Sequence, residues 1–212
     1  IDQTIKNDFS QNASQSRTYY QLKLDYLRSF GKHDVSALAL FNRSIRTYNN
    51  DVEYRYQGLT GRVTYAYDNK YLAEFNIGYN GSENFAPGKR YGIFPAGSAG
   101  WVISREGFMK GTEKWLDNLK IRGSYGLVGS DKISKRFTYL QFFEGSGGYR
   151  FGDQGFERDA VGGVQEGDLG NPRLTWEKSR KMNIGLDASF LHEKLTFSVD
   201  FFNEHRYDII PS

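Results

Sequence analysis

Hydrophobic and polar residues alternate with a period of two along most of the chain. Residues 195–201 carry Leu, Phe, Val and Phe at the odd positions, with Thr, Ser and Asp between them. Successive side chains of a β-strand point to opposite faces, so this pattern predicts a strand with one apolar and one polar face. The same rhythm over 181–190 and 119–127 predicts two more strands of this kind.

Eight such segments can be placed between turn signals. They cover approximately 16–28, 34–46, 58–67, 71–80, 91–104, 119–128, 174–190 and 195–206. The connections alternate between short turns, at 29–33, 68–70 and 191–194, and longer polar segments, at 47–57, 81–90 and 129–172. The connection 105–118 is the exception on the short side, and we expect one helical turn near 113–116 within it.

Two fold classes share this alternation of faces. Strands of about ten residues joined alternately by short turns and long loops are typical of a transmembrane β-barrel. A soluble β-sandwich also alternates, but its strands are usually about 5–6 residues long, and the many tyrosines on the apolar face would fit poorly in a dry core. The sequence therefore predicts an all-β chain that forms an antiparallel up-and-down transmembrane β-barrel segment. A secreted β-sandwich that binds glycans is the alternative.

The composition agrees with the barrel interpretation. The chain has 212 residues and a mean hydropathy of −0.64, and it holds no apolar run near the ~18 residues of a transmembrane helix. Barrel strands expose only alternate residues to lipid and therefore average to polar. The 15 Tyr, 16 Phe and 3 Trp are an unusual share, and aromatic rings with one wet edge favour membrane interfaces.

Several classes of chemistry are disfavoured. Without cysteine there is no disulfide or thiolate metal site, and the net charge of +3 comes from scattered rather than clustered bases, which disfavours nucleic acid as a partner. The three histidines have no partner at metal-ligand spacing, and His33 and His192 are expected in solvated turns. Carboxylates in the long loop could offer oxygens to calcium, but their spacing fits no standard calcium loop. We therefore predict no enzyme activity, no cofactor and no metal.

Five stretches of the chain are motif-like. They are 65–76 with 79–82, 90–95 leading into 98–104, 116–126, 170–179 with 183–187, and 199–202 with 208–210. In their order and spacing over about 58–210 they resemble the SusC/RagA-type TonB-linked outer-membrane transporters of the Bacteroidetes. Residues 1–47 add little to this resemblance beyond the strand pattern.

The resemblance implies a role in the cell outer membrane. The chain would be an internal fragment, 1–212 being part of a single TonB-dependent receptor β-barrel domain. It would supply about eight strands of a barrel of about 22, with the plug domain and the terminal strands absent, and its own sheet should be open. The family imports large nutrients, here an oligosaccharide or an oligopeptide (a glycan or peptide substrate). A SusD-like lipoprotein caps the barrel, the TonB complex acts through parts outside this chain, and outer-membrane lipid surrounds the wall.

The long segment 129–172 holds the candidate contact residues. Because long glycine-rich loops are often functional, we expect this one to contact substrate or the lipoprotein partner. The candidates are aromatic rings for stacking and guanidinium groups for hydrogen bonds: Tyr149, Arg150, Phe151, Phe156 and Arg158. The alternative is that these rings pack the loop on itself. Trp176, at the re-entry into the next strand, is interpreted as architectural and is expected at the outer interface.

The last two strands give a specific prediction about facing. The side chains expected to face lipid are Ile184, Leu186, Phe197, Val199 and Phe201. Those expected to face the lumen are Asn183, Asp187, Ser198 and Asp200. Charged residues on the polar faces are expected to pair across the lumen wall.

Overall fold

The computed structural model describes residues 15–48, 52–133, 136–149 and 161–209, which are mostly antiparallel strands. The strands are β1 (Gln15–Phe30), β2 (His33–Tyr48), β3 (Tyr54–Tyr67), β4 (Tyr71–Ser82), β5 (Tyr91–Val102), β6 (Leu116–Ser130), β7 (Phe143–Tyr149), β8 (Val161–Glu166), β9 (Glu177–Phe190) and β10 (Leu195–Tyr207). Two short 3₁₀ segments, Ile103–Arg105 and Gly107–Thr112, connect β5 to β6.

Eight of these strands form one sheet in the order β1-β2-β3-β4-β5-β6-β9-β10, and β7 and β8 form a separate hairpin. Every neighbouring pair is antiparallel. Within the described ranges no ladder joins β1 to β10, so the sheet is open, as expected for part of a larger barrel. The prediction of eight antiparallel up-and-down strands is confirmed. The β-sandwich alternative is wrong, because these eight strands lie in a single sheet rather than in two packed layers.

Three details of the predicted connections are wrong. The segment 129–172 is not wholly irregular, because it contains the β7–β8 hairpin. The predicted loop 47–57 is shorter, because β2 continues to Tyr48 and β3 starts at Tyr54. The helical turn between β5 and β6 lies earlier than 113–116, in the two 3₁₀ segments. In the first two stretches, pairing with a neighbouring strand rather than local propensity decides which residues become strands.

The hairpin between β3 and β4 shows how the local sequence sets the register. Asp68 and Asn69 have φ of 51° and 52°, and the N–H of Lys70 donates to the carbonyl of Tyr67 at 2.9 Å. Two successive positive φ values belong to the type I′ turn, which twists in the same sense as the strands it joins, and Asn and Asp tolerate this conformation. The turn places Tyr67 opposite Tyr71 and thereby fixes the rest of the ladder.

Register divides the sheet into two faces. Val199 pairs with Leu186, and Leu186 pairs with Ile121, so these three apolar side chains share one face. Ser198 pairs with Asp187, which pairs with Lys120 on the other face. Every side chain of β9 and β10 expected to share a face does so. We name the two sides the apolar face and the polar face.

The polar face is concave. It encloses a cavity of about 720 Å³ that is lined by residues of seven strands, β1 to β6 and β9. A flat sheet cannot bring seven strands around one cavity, so the sheet curves with its polar face inward. This is the curvature of a barrel wall.

A small aromatic core lies where the sheet meets the long loops, which we name the loop end. Trp176 is 2% exposed and Phe85 is fully buried, with ring centroids 5.4 Å apart. Phe94 of β5 meets the Trp176 ring edge-on at 5.2 Å, and the indole N–H donates to the carbonyl of Arg90 at 3.1 Å. Trp176 is therefore architectural, as predicted, but its expected position at the outer interface is wrong, because it is buried in this core.

The apolar face can be tested at Val199, near the middle of β10. An arginine there would place a charge against hydrocarbon, at a cost of about 2–4 kcal/mol near the bilayer midplane. Ser198→Arg, one residue away, should cost much less because it points to the polar face beside Asp187 and Asp200. Urea titration of both full-length variants in lipid vesicles measures the difference. Equal losses of stability would contradict the two faces.

The aromatic core can be tested with Trp176→Ala. Removing this buried ring should cost about 3–5 kcal/mol of local packing energy. We expect faster amide hydrogen exchange over 83–90 and 131–133 and unchanged exchange in β1. Trp115→Ala is the matched control, since Trp115 is 50% exposed and stacks on Phe190 at 6.0 Å. Equal effects of the two variants on these segments would rule out the proposed core.

Candidate functional site

A charged network spans three strands of the polar face. Arg122 of β6 donates from Nε to Asp187 of β9 at 2.9 Å and from Nη2 to Asp200 of β10 at 2.7 Å. The Ser198 hydroxyl donates to Asp187 at 2.7 Å. The predicted pairing of charges across the wall is confirmed for this group.

A glycine makes this reach possible. Gly185 lies between Arg122 and Asp200 in the ladder, and a Cβ added to it would come within 2.6 Å of the guanidinium carbon. The guanidinium therefore crosses β9 over a position without a side chain. It ties β6, β9 and β10 together, as a barrel wall with a wet inner face requires.

A second cavity of the polar face lies near the loop end, and we name it the tyrosine cleft. Its volume is about 630 Å³. Tyrosines and bases dominate its lining, which consists of Arg17, Tyr19, Asn42, Ser44, Arg46, Tyr48, Tyr54, Tyr56, Asp131 and Lys132. Three bases against one carboxylate give this lining a positive balance. Flat phenol rings with polar edges suit contacts with sugars or peptide side chains.

One wall of the tyrosine cleft is held by hydrogen bonds to the loops. Tyr54 donates from its hydroxyl to Asp131 at 3.3 Å and accepts from the Asn84 amide at 3.1 Å. The same amide nitrogen donates to the Asp131 carbonyl at 2.9 Å. Arg136 stacks on the Tyr54 ring at 5.1 Å and donates to the carbonyl of Val52 at 2.6 Å. This wall is therefore preorganised by contacts within the protein.

Two polar atoms beside the cleft have no hydrogen-bond partner among the described residues. They are Oδ1 of Asn42 and Oγ of Ser44, both buried and both on residues that line the cavity. Buried polar groups are nearly always paired in folded proteins, often by ordered water. The case for the cleft as a binding surface therefore rests on its exposed tyrosines and its positive balance.

The residues predicted to contact substrate or partner are only partly covered by the structure. Tyr149 ends β7, where its backbone pairs with Val161 of β8. Arg150, Phe151, Phe156 and Arg158 lie outside the described residues. The hairpin carries exposed apolar side chains, among them Phe143, which is 65% exposed. The structure therefore places the start of the predicted contact segment on a hairpin rather than on an irregular loop.

Sequence reasoning missed the tyrosine cleft. Its tyrosines come from β1, β2 and β3, and three of them, Tyr48, Tyr54 and Tyr56, fall in the segment that the sequence predicted to be a loop. The available signal was the parity of Tyr54 and Tyr56, which places both on the face opposite Leu59. Only the register between strands brings them together.

The apolar face ends in a row of rings at the short-turn end of the sheet. The row runs through Phe30, His33, Tyr67, Tyr71 and Trp101, with neighbouring centroids 4.9–6.4 Å apart. His33 therefore begins β2 and stacks within this row, and the prediction of a solvated turn residue is wrong. Rings in a belt at the edge of an apolar band are typical of barrel walls at a membrane interface.

The row is fixed by one carboxylate between the two 3₁₀ segments. Glu106 accepts from the Tyr71 hydroxyl at 2.6 Å and from the Trp101 indole N–H at 3.1 Å. These two hydrogen bonds hold the pKa of Glu106 below its usual value, and the one from Tyr71 has the larger effect. The carboxylate therefore stays charged at neutral pH, and its contribution to stability is lost only as the pH falls through this lowered pKa.

The described residues hold no group of three or more His, Asp or Glu side chains that could bind a metal ion. None of the helical segments in the described ranges has the length and apolarity to cross a membrane.

Comparison with known proteins agrees with this architecture. The model of the family described as "TonB dependent receptor-like, beta-barrel" matches residues 2–211. The TonB-dependent receptor P39 of Formosa agariphila is 32% identical over 189 residues, which is 84% of this chain and 17% of the relative. The TonB-dependent receptor SusC of Bacteroides thetaiotaomicron is 32% identical over 155 residues, which is 72% of this chain and 15% of SusC.

Among solved structures, the RagAB peptide importer in its closed-closed state superimposes with a TM-score of 0.74 at 20% identity. The match covers 91% of this chain and 24% of the RagAB chain, and it supports the fold. The chain thus spans less than a quarter of each of these proteins. With a two-faced, curved sheet and a family match over nearly its whole length, the chain belongs to the TonB dependent receptor-like β-barrel family.

Proposed function

We propose that this chain forms part of the wall of an outer-membrane importer for large nutrients, an oligosaccharide or an oligopeptide. The observation that carries the proposal is the single curved sheet with an apolar outer face, a polar concave face and family membership over residues 2–211. The apolar face would contact outer-membrane lipid, and the polar face would line the lumen. The family consists of receptors and transporters, so no catalytic role is assigned to any residue.

The orientation follows from the connections. Outer-membrane barrels have short periplasmic turns and long extracellular loops. The turns at Gly31–Lys32 and 191–194 would then lie in the periplasm, and the loop end, with the tyrosine cleft and the β7–β8 hairpin, would lie outside the cell. The cleft would be an early contact for the incoming substrate. Its positive balance and its tyrosines favour a neutral or anionic chain of sugars or amino acids.

The partners are proposed from relatives. SusC and RagAB are similar to this chain, and RagAB is a peptide importer or transporter. We infer that a SusD-like lipoprotein caps the barrel over the loop end, and that the TonB complex supplies energy through parts outside this chain. The exposed apolar side chains of the β7–β8 hairpin, including Phe143 and Val164, support a docking role at this end.

Import and the tyrosine cleft can be tested together. Cells that depend on the full-length protein should take up labelled oligosaccharides or oligopeptides, and uptake should stop when TonB is deleted. Tyr48→Ala should weaken uptake at low substrate concentration by about fivefold, the loss of one aromatic contact of about 1 kcal/mol. The matched control is Tyr125→Ala, since Tyr125 is similarly exposed but lies on the apolar face.

Two results would contradict this proposal. Uptake that is unchanged without TonB would overturn TonB-dependent import by this protein. Normal TonB-dependent uptake by Tyr48→Ala at low substrate concentration would leave import intact and exclude the cleft from the substrate path. Quantifying the assembled barrel in outer membranes separates both results from loss of protein.

The contact segment can be tested by shortening the hairpin. Replacing residues 150–160 with Asn-Gly would join β7 to β8 through a two-residue turn and would remove Arg150, Phe151, Phe156 and Arg158. We expect normal barrel assembly with impaired uptake or impaired co-purification of the lipoprotein. Tyr149→Ala in the full-length hairpin tests the remaining candidate. Wild-type uptake together with wild-type lipoprotein recovery in the shortened protein would show that the segment contacts neither.

A further inference from the structure

A small cavity lies on the apolar face, just where that face ends toward the loop end. Its volume is about 130 Å³. Arg43 of β2, Arg55 of β3 and Arg90, next to β5, line it together with Gln57 and Tyr91. Arg43 pairs with Gln57 in the ladder, and the Gln57 amide donates to the Tyr91 hydroxyl at 2.5 Å, so these side chains share the apolar face. We name this cavity the arginine pocket.

The arginine pocket carries uncompensated positive charge. Arg55 is neutralised, because it forms an ion pair with Glu53 at 2.7 Å and lies 3.9 Å from Glu83. Glu83 is the one carboxylate among the described residues that line the pocket. Arg43 is exposed and makes no hydrogen bond or ion pair with any residue of the described ranges.

Arg90 also has N–H donors that are not used within the described residues. Its Nε donates to the Phe85 carbonyl at 3.2 Å, which anchors the side chain beside the pocket and leaves its terminal nitrogens available. Two guanidinium groups therefore face one small cavity with free N–H donors. Planar guanidinium forks match the oxygens of a phosphate group, and they bind it with paired, charge-assisted hydrogen bonds.

The residues next to the arginine pocket on the apolar face indicate what kind of molecule could bind there. One step toward the middle of the sheet, the apolar face carries Phe41, Leu59, Tyr79 and Ile93, each 40–57% exposed. The Tyr79 and Tyr91 rings stack at 5.0 Å and join this row to the pocket. A ligand that fills both places is anionic at one end and apolar along the rest of its length.

We propose that the arginine pocket binds the phosphate group of an anionic membrane lipid, with Arg43 as its principal contact and the acyl chains lying on Phe41, Leu59 and Tyr79. The inference rests on the proposed function in one respect, that the apolar face contacts the membrane. A free phosphate ion would use the arginines but would gain nothing from the apolar row. The pocket is therefore assigned to a lipid headgroup rather than to a dissolved anion.

The test uses the purified full-length protein in a neutral detergent and short-chain dioctanoyl phosphatidic acid as the probe. Isothermal titration calorimetry should show binding, and Arg43→Gln should weaken it by about tenfold through loss of a charge-assisted hydrogen bond. Arg43→Lys, which keeps the charge but not the fork, should lie between the two. Arg173→Gln is the matched control, since Arg173 is exposed in the loop before β9 and lies outside the pocket, and it should bind like the wild type.

Two further probes separate the sources of phosphate. Dioctanoylglycerol, which lacks the phosphate, should bind much more weakly than phosphatidic acid. Inorganic phosphate should not displace the lipid at comparable concentration. Displacement at comparable concentration would show a site for dissolved anions and would overturn the lipid assignment, as would equal affinity of Arg43→Gln and the wild type.

The same variants, assayed for uptake in cells, distinguish this inference from the proposed function. A wild-type protein that binds the lipid through Arg43 but imports nothing would refute import and support the lipid site. A protein that imports in a TonB-dependent manner but shows no Arg43-dependent binding of the lipid would support import and refute the lipid site.

Discussion

The continuous backbone ladder of the eight-stranded sheet is the constraint on which the rest of the structure depends. In a bilayer no water is available to pair with a free N–H or C=O, so each strand must be satisfied by its neighbours. The ladder also fixes the register, and a slip of one residue would exchange the two faces of a strand. Arg122 and Ile121 are adjacent in sequence, so such a slip would move the guanidinium from Asp187 and Asp200 into the apolar face.

The pairing between β5 and β6 stops short of the loop end, and the candidate site is built beside that point. Pairing between β5 and β6 ends at Ala96 and Gly126. The next residue of β5 is Pro95, which has no N–H to donate. Beyond it, the Phe94 ring lies against Gly129, where any Cβ would collide with the ring. Trp176 covers the gap, and Tyr56, which lines the tyrosine cleft, packs on the same core. The break in pairing is thus filled by the packing that supports the cleft.

The parts of the fold that depend on alternation alone could be predicted from the sequence. The faces of β9 and β10 are one case, and the turn at Asp68 and Asn69 is another, because each depends on residues close together in the chain. The β7–β8 hairpin could not be predicted. Its strands are rich in glycine and poor in β-branched residues, so their pairing leaves little local signal.

The candidate site was harder to predict for a related reason. The tyrosine cleft and the arginine pocket each combine residues of several strands and of a connecting segment, and parity says only which face a side chain occupies. Which residues stand side by side depends on how far β2 and β3 extend, and the polar stretch around Tyr48 and Tyr54 gave no sign that it continues both strands. Trp176 shows the same limit, since its burial depends on Phe85, about ninety residues earlier in the chain.

The two ends of the apolar face close in different ways. At the turn end a row of rings borders the face, and the nearby Glu106 accepts hydrogen bonds from Tyr71 and Trp101. At the loop end the face closes with Arg43, which lacks an acidic partner among the described residues. Positive charge alone does not distinguish the two ends, because Arg28 lies on the same face one row inside the rings. The difference is one of continuity, since rings from five neighbouring strands stack along the turn end. The proposed orientation of the sheet therefore rests on the lengths of its connections, and the ring row marks where the apolar face ends.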